Sequence, residues 1–135
     1  RTLERIQAVL YLQRFVVHPG YDLRILVLDG NVLGGMRRYA AAGFKTNVAC
    51  QGRGEAYTPT APEISLALQA TAAIGATFAG VDLLTGPAGE PYVLEVNGVP
   101  GWRAFQSATG LDVAGRVMDW LAVQRTSPRA ATSFA

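Results

Sequence analysis

The feature that most constrains this fold is a pair of strand-like runs with a very short connection between them. Residues 77–84 and 91–97 are rich in apolar and β-branched side chains, which is typical of strands. Residues 86–90 contain Gly and Pro and read as a turn. Because the connection is so short, the two runs are predicted to form an antiparallel hairpin.

Three further strands are predicted upstream. Asp29-Gly30-Asn31 is a strong turn signal between two of them and predicts a second hairpin. Gly34 and Gly35 in the returning strand indicate either a bulge or the close approach of the backbone to a ligand. The predicted strands span residues 9–17, 22–28 and 32–39, and a long loop of the kind that carries function follows at residues 40–59.

Two helices complete the predicted elements. The Thr60-x-x-Glu63 pattern is a capping box, and the helix that it begins is expected to end near Gly75. The Thr109-x-x-Asp112 pattern begins the last helix. That helix carries an apolar stripe with helical spacing, formed by Ala114, Val117, Met118 and Leu121.

Polar side chains occur at unexpected positions in the strand at residues 91–97. Residues i and i+2 of a strand share a face. Glu95 and Asn97 are therefore predicted to point together, with Val93 on their side and with Leu94 and Val96 on the other. Two oxygen-bearing side chains thus converge on one face.

A third oxygen ligand is predicted to join them across the hairpin. Pairing Gly86 with Pro91 places Asp82 opposite Glu95, with Cβ atoms about 5 Å apart. Carboxylates this close repel each other unless a cation lies between them or one is protonated. With Asn97 the set suits Mg²⁺. In the alternative interpretation each carboxylate pairs with an arginine at the sheet surface, and spacing alone favours neither.

Composition restricts the class of protein. The chain has 135 residues, of which 50% are hydrophobic and 16% charged, and it contains no apolar run near the roughly 20 residues that a membrane span needs. The net charge is only +2 and the arginines are scattered, so we expect neither a nucleic-acid nor a membrane partner. The single cysteine, Cys50, excludes an internal disulfide framework and a cysteine-type zinc site, and we expect a cytoplasmic protein.

The chain reads as a piece of a longer protein, because it opens at Arg1 in what looks like the end of a helix. We predict one domain at residues 1–123 and a flexible tail at residues 124–135. A truncated edge is expected to expose apolar surface and to favour homo-oligomers.

Four short motifs follow one another along most of the chain. They are "DLR" at residues 22–24, "FKTN" at 44–47, "GVDLL" at 80–84 and "VLEVNGVPG" at 93–101. In combination they resemble the C-terminal part of an ATP-grasp ligase, with the closest resemblance to the RimK-like α-L-glutamate ligases. The resemblance extends from about Leu12 to Leu121. It implies an α+β fold, a C-terminal ATP-grasp subdomain in which a mainly antiparallel sheet packs against helices, and it favours the metal interpretation.

The resemblance also implies site residues. Asp82, Glu95 and Asn97 correspond to the ligands of two Mg²⁺ or Mn²⁺ ions on the ATP phosphates. The other residues of the ATP site comprise a hinge strand whose backbone faces adenine, an acid near the ribose, and a basic residue and an amide near ATP and substrate. The hinge strand is formed by Gln13, Arg14, Phe15 and Val16. The acid near the ribose is Asp22, and the basic residue and the amide are Lys45 and Asn47.

Three arginines, Arg24, Arg37 and Arg38, fall where such ligases carry cations around the reacting carboxylate, and we predict that they are catalytic. One departure from the family pattern follows "FKTN", where this chain has Cys50-Gln51-Gly52-Arg53-Gly54 in place of an Arg-Gly-Gly-like run. Trp102, which follows the predicted ligands, is expected either to close over the site or to pack against the last helix.

The implied reaction is an ATP-dependent ligation. A carboxylate attacks the γ-phosphate to give an acylphosphate, and an amine then displaces phosphate, so an amide, ADP and phosphate result. The added group is expected to be glutamate, and the acceptor a protein C-terminus, a small peptide or a pterin-type cofactor. We expect the chain by itself to be inactive. The alternatives are a ligase of the D-alanine or glutathione type and a non-catalytic association module.

Overall fold

The computed structural model describes residues 14–39 and 53–126. Five strands form one sheet in the order β3-β2-β1-β4-β5, and every neighbouring pair is antiparallel. With three helices this is the predicted α+β class. The elements are β1 (Tyr21–Leu28), β2 (Asn31–Tyr39), β3 (Arg53–Tyr57), α1 (Ala61–Ala73), β4 (Phe78–Thr85), β5 (Pro91–Asn97), α2 (Arg103–Thr109) and α3 (Val113–Thr126). Residues 9–13, 40–52 and 127–135 of the predicted segments lie outside the described residues.

The first predicted hairpin is confirmed. Asp29 and Gly30 both have positive φ, 48° and 70°, as a tight two-residue hairpin turn requires. The register shifts between Leu26 and Val27, so that Leu33 is the extra residue of a bulge beside Gly34. A Cβ atom on Gly35 would lie 2.7 Å from Pro59 Cγ. The close neighbour of this glycine is therefore a proline of the same chain.

The second hairpin forms with a different register from the predicted one. Pro91 pairs with Thr85, one residue away from the expected Gly86. A bulge then inserts one extra residue, Leu94, and the later pairs shift by one position. For this reason Asp82 does oppose Glu95, as predicted.

The bulge also corrects the predicted side of Val93. Val93 pairs with Leu83, whose side chain lies in the core beneath α1. Val93 is thus on the opposite face from Glu95, whereas the alternation had placed the two together. Val96, on the far side of the bulge, packs against that core, as predicted.

The two faces of the sheet are covered differently. On one, which we call the α1 face, Leu23, Ile25 and Val81 pack with Ala67 of α1 in a fully buried cluster. On the other, Leu26 and Met36 pack against Phe105 of α2 and Val113 at the start of α3. Burial of these side chains is the main stabilising contribution. The remainder of the second face carries Asp22, Arg24, Arg38 and Asp82, and we call it the charged face.

Helix α1 begins and ends as predicted. The Glu63 carboxylate accepts a hydrogen bond of 2.7 Å from the backbone N–H of Thr60, which is one half of the capping box. The helix ends at Ala73, and Gly75 follows with φ of 64°.

Several expectations were wrong. Residues 14–17 of the predicted first strand are not in a strand. Strand β3 lies inside the predicted loop, because pairing with β2 overrides its weak pattern. Helix α2 was not predicted; it ends at Thr109, and Gly110 follows in a left-handed conformation. Thr109 therefore does not begin the last helix as expected, and α3 starts at Val113, after Asp112, whose Oδ1 accepts a hydrogen bond from Gly115 N. Of the predicted apolar stripe of α3, Ala114, Met118 and Leu121 are exposed and Val117 is half-buried, and Val113 at the start of the helix makes the core contact instead. Trp102 packs edge-on against Phe78, with centroids 5.9 Å apart, so it belongs to the core beneath α2.

Candidate active site

Charged side chains form a row across three neighbouring strands of the charged face. Arg24 of β1 opposes Asp82 of β4, and Asp82 opposes Glu95 of β5. Two residues before Arg24 on β1, and on the same face, Asp22 opposes Arg38 of β2. Long-range strand pairing therefore places in one row residues as far apart in the sequence as Arg24 and Glu95, which are 71 positions apart.

A network of short ion pairs joins four of these side chains. Arg24 donates from Nε to Asp82 Oδ1 at 2.8 Å and from Nη2 to Oδ2 at 2.7 Å. Arg38 donates from Nη2 to the same Oδ2 at 2.8 Å. It also donates to both oxygens of Asp22, at 2.6 and 2.8 Å. Arg38 thus links two carboxylates, and Asp82 is held by two guanidinium groups.

The network is largely removed from water. The side chains of Asp22 and Arg38 are each 5% exposed and that of Asp82 is 8% exposed, whereas Arg24 is 17% exposed. Burial by itself lowers the pKa of Arg38, but the hydrogen bonds and charges of Asp22 and Asp82 outweigh it and the pKa is raised. Buried charges of this kind are tolerated only while they are paired.

The other two predicted metal ligands are nearer to solvent. Glu95 is exposed, and its side chain makes no ion pair or hydrogen bond with the described residues. The Asn97 side-chain oxygen accepts a hydrogen bond of 2.9 Å from Val99 N, which shapes the turn after β5. That turn brings Pro100 over Gly80, where an added Cβ would lie 2.8 Å from Pro100 Cβ.

Each interpretation of the carboxylates describes one part of this arrangement. Asp82 is paired with arginines, as the surface ion-pair alternative expects, but it is buried. Glu95 lies beside it and pairs with no arginine in the part of the chain that the structure describes. Within residues 14–39 and 53–126 no three Asp, Glu, His or Cys side chains form a cluster, so a metal site here has two carboxylates and depends on Asn97 for a third protein oxygen.

Arg37 is not brought to the site. Successive strand residues alternate between faces, so Arg37 lies on the α1 face while Arg38 lies on the charged face. The Arg37 guanidinium stacks on the rings of Tyr21 and Tyr57, at 4.9 and 4.2 Å from their centroids. The grouping of Arg37 with Arg24 and Arg38 is therefore not supported by its placement, and the alternation could have signalled this.

The predicted hinge residues line a separate cavity. Arg14, Phe15 and Val16 form one side of a cavity of about 370 Å³, and Glu90 and Tyr92 from the second hairpin form part of the other. The Tyr92 hydroxyl donates to Glu90 Oε1 at 2.8 Å. Backbone hydrogen bonds around Glu90, followed by the bond from Tyr92, lower the pKa of Glu90.

Sequence reasoning missed Glu90 and Tyr92. The only available signal was that their turn belongs to the same hairpin as Asp82 and Glu95. Of the remaining predicted site residues, Gln13, Lys45 and Asn47 lie outside the described part of the chain, as do Cys50, Gln51 and Gly52. Arg53 lies on β3, exposed and paired with Glu55 at 2.6 Å.

Comparison with known proteins identifies the fold. A sequence model of the RimK-like ATP-grasp domain matches residues 1–121. The chain belongs to the RimK-like ATP-grasp family. It is 35% identical over 128 residues to a "Probable alpha-L-glutamate ligase" of Chromohalobacter salexigens, covering 93% of this chain and 42% of that protein. It is 42% identical over 103 residues to a protein of the same name from Aeromonas salmonicida, covering 76% and 34%.

A solved structure agrees with this assignment. The ATP-grasp ligase PsnB, complexed with a phosphomimetic variant of its minimal precursor, Mg and ADP, has a TM-score of 0.67 and 25% identity over 82% of this chain and 34% of that one. ATP-grasp ligases form carbon–nitrogen bonds and use ATP and Mg²⁺. This chain spans about a quarter to two-fifths of the length of its curated relatives. No helix in the described ranges is long and apolar enough to cross a membrane.

Proposed function

We propose that this chain forms the metal-binding wall of an ATP-dependent carboxylate–amine ligase that adds glutamate to an acceptor. The observation that carries the proposal is the direct opposition of Asp82 and Glu95 on β4 and β5 in a RimK-like ATP-grasp domain. Asn97 follows on β5 and the cation Arg24 faces Asp82 from β1. A substrate carboxylate and a phosphoryl group could bind on this face, where metal ions held by the two carboxylates and the Arg24 guanidinium would compensate their negative charge.

The donor set fits divalent metal ions that prefer oxygen. Asp82 and Glu95 supply carboxylate oxygens, and the Asn97 amide oxygen has a second lone pair beyond the one used by Val99 N. We infer that Asp82, Glu95 and Asn97 would hold the two Mg²⁺ ions that the family resemblance implies. Glu95 is available for this role because it pairs with no cation within the described residues. The ions would neutralise charge that develops on the transferred phosphoryl group.

The chain's own residues have separate tasks in the proposed reaction. Arg24 would face the acylphosphate formed when the substrate carboxylate attacks the γ-phosphate. Arg38 and Asp22 would hold Asp82 in place. The cavity between Phe15, Val16 and Tyr92 would receive the adenine, and Lys45 and Asn47 would approach ATP and substrate.

The substrates are proposed from the relatives. The curated relatives named as probable alpha-L-glutamate ligases support glutamate as the added group, and PsnB, complexed with its precursor peptide, supports a peptide acceptor. A D-alanine-type ligase from Bacillus anthracis shares the fold at a TM-score of 0.52. ADP release measured across a panel of amines separates these alternatives. Homo-oligomer formation and a cytoplasmic location stay predictions.

The test is Glu95→Gln in the complete protein that contains this chain. The substitution keeps the shape of the side chain but removes the charge that would bind two divalent ions. We expect ADP release at saturating ATP to fall by about 10² to 10³, by analogy with loss of one charge-stabilising group in other active sites. Release is measured at several Mg²⁺ concentrations, with thermal melting to check folding.

Glu55→Gln is the matched control, because Glu55 pairs with Arg53 at the exposed edge of the sheet. An exposed pair contributes only about 0 to 1 kcal/mol, so this variant should retain its turnover. If Glu95→Gln melts normally and also turns over within a few-fold of wild type at every Mg²⁺ concentration, the metal role of Glu95 is wrong.

A further inference from the structure

We propose that the two arginines on Asp82 have different roles. Arg38 is a fixed positioning residue, and Arg24 is a displaceable counter-ion that leaves Asp82 when a divalent cation binds there. The inference rests on the proposed function, because it takes Asp82 as a metal ligand. It adds that Arg24 and a divalent metal ion replace each other as the partner of the Asp82 carboxylate.

The first observation is that the oxygens of Asp82 already accept hydrogen bonds from two arginines. Arg24 donates to both of its oxygens, at 2.8 and 2.7 Å, and Arg38 donates to Oδ2 at 2.8 Å. A carboxylate has about four lone-pair positions, and the arginines use three of them. A divalent ion bound directly to Asp82 would also lie within a few ångströms of the Arg24 charge, which repels it strongly in a partly buried site.

The second observation is that the two arginines are held unequally. Arg38 is 5% exposed and donates to both oxygens of Asp22 as well as to Asp82. Moving it would break the pairing of two buried carboxylates. Arg24 is 17% exposed, and within the described residues its side-chain hydrogen bonds go to Asp82. Arg24 can therefore swing towards solvent while Arg38 keeps Asp82 in position.

The exchange has a chemical consequence. Asp82 is paired with a cation both before and after metal binding, so the empty state carries no unpaired buried carboxylate. When Arg24 leaves, it becomes a free guanidinium beside the metal, where it can donate two hydrogen bonds to a phosphate or carboxylate oxygen pair. The same side chain would then stabilise the apo site and bind the anionic group of the substrate.

The test measures the affinity of the complete protein that contains this chain for Mn²⁺ alone, by electron paramagnetic resonance of the free ion. Arg24→Met removes the competing cation and should tighten Mn²⁺ binding about tenfold. Arg38→Met removes the same charge but also the group that positions Asp82, and it should not tighten binding. Arg116→Met removes an equal charge from an exposed position on α3 and should change nothing. Equal tightening by Arg24→Met and Arg38→Met would overturn the proposal, because charge alone would then explain it.

A second measurement does not depend on how the variants fold. In wild-type protein labelled with ¹⁵N-arginine, Mg²⁺ should shift the Arg24 Nε–H signal and speed its exchange with water, while the Arg38 Nε–H signal stays protected. Arg38→Lys, which keeps the charge, serves as the second variant if Arg38→Met does not fold. An Arg24 signal that stays unchanged at Mg²⁺ saturation would overturn the exchange.

Asp82→Asn separates failure of this inference from failure of the proposed function. If Mn²⁺ binding does not depend on Asp82, the assignment of the metal site is wrong, and the proposed exchange of Arg24 is wrong as well. If binding depends on Asp82 but Arg24→Met leaves it unchanged or weaker, the metal site stands and the exchange alone is overturned. Asp82-dependent binding that Arg24→Met tightens supports both.

Discussion

Arg37 and Arg38 are neighbours in β2 and carry the same charge, but the two faces of the sheet treat them differently. On the α1 face, Arg37 lies between the rings of Tyr21 and Tyr57 and remains partly exposed. On the charged face, Arg38 is buried between Asp22 and Asp82. One guanidinium is stabilised by aromatic rings, the other by carboxylates.

The difference shows how much depends on each charge. A cation over an aromatic ring near the surface contributes about 0.5 to 1 kcal/mol, and the half-buried Tyr21 and Tyr57 are uncharged side chains that need no counter-ion. A buried carboxylate that stays charged without a cation lowers the stability of the folded protein by several kcal/mol. Substitution of Arg37 should therefore be tolerated, whereas substitution of Arg38 should not.

The largest effect is expected for Arg38→Met. The substitution leaves Asp22 and Asp82 buried without their shared cation, which should lower the free energy of unfolding by about 3 to 5 kcal/mol. Urea unfolding of the 135-residue chain, followed by circular dichroism, measures it. Arg116→Met, at an exposed position, should stay within about 0.5 kcal/mol of wild type. A loss below about 1 kcal/mol for Arg38→Met would remove the contrast between the faces.

Two glycines give an intermediate test, one on each face. Alanine at Gly80 would place Cβ 2.8 Å from Pro100 Cβ, and alanine at Gly35 would place it 2.7 Å from Pro59 Cγ. Overpacking of this kind lowers the free energy of unfolding by about 1 to 3 kcal/mol, so both variants should melt earlier.

The two glycine variants should differ in metal binding. Gly80 pairs with Asn97, and Pro100 belongs to the turn that the Asn97 side chain shapes, so Gly80→Ala should weaken Mn²⁺ binding while Gly35→Ala should not. Equal metal affinities in the two variants would mean that Pro100 does not position the site.

The smallest effect is expected for Arg37→Met. Loss of the cation over the two tyrosine rings should lower the free energy of unfolding by about 1 kcal/mol, and turnover of the complete protein should stay within about twofold of wild type. Urea unfolding and ADP release measure the two quantities, with Arg37→Lys as the variant that keeps the charge. A tenfold fall in turnover without unfolding would restore the catalytic role that the resemblance implies for Arg37.

The sequence by itself determined the local features of this protein. Asp29-Gly30 predicted the first hairpin because few residues adopt positive φ, and Thr60 with Glu63 predicted the start of α1 because the capping box satisfies free backbone N–H groups. The motifs around Asp82 and Glu95 identified the family, and the short turn between their strands predicted the hairpin. Each of these depends on residues close together in the chain. The direct opposition of the two carboxylates, by contrast, depends on the Leu94 bulge.

The tertiary structure alone decided how the local elements combine. The pairing of β1 with β4 puts Arg24 against Asp82, and no short-range signal specifies a contact between residues 58 positions apart. The bulge at Leu94 corrected a wrong starting register and moved Val93 to the α1 face. The core contact of α3 is made by Val113 and not by the predicted stripe. In each case the outcome depends on packing between distant segments, whose free energy is set by the whole core.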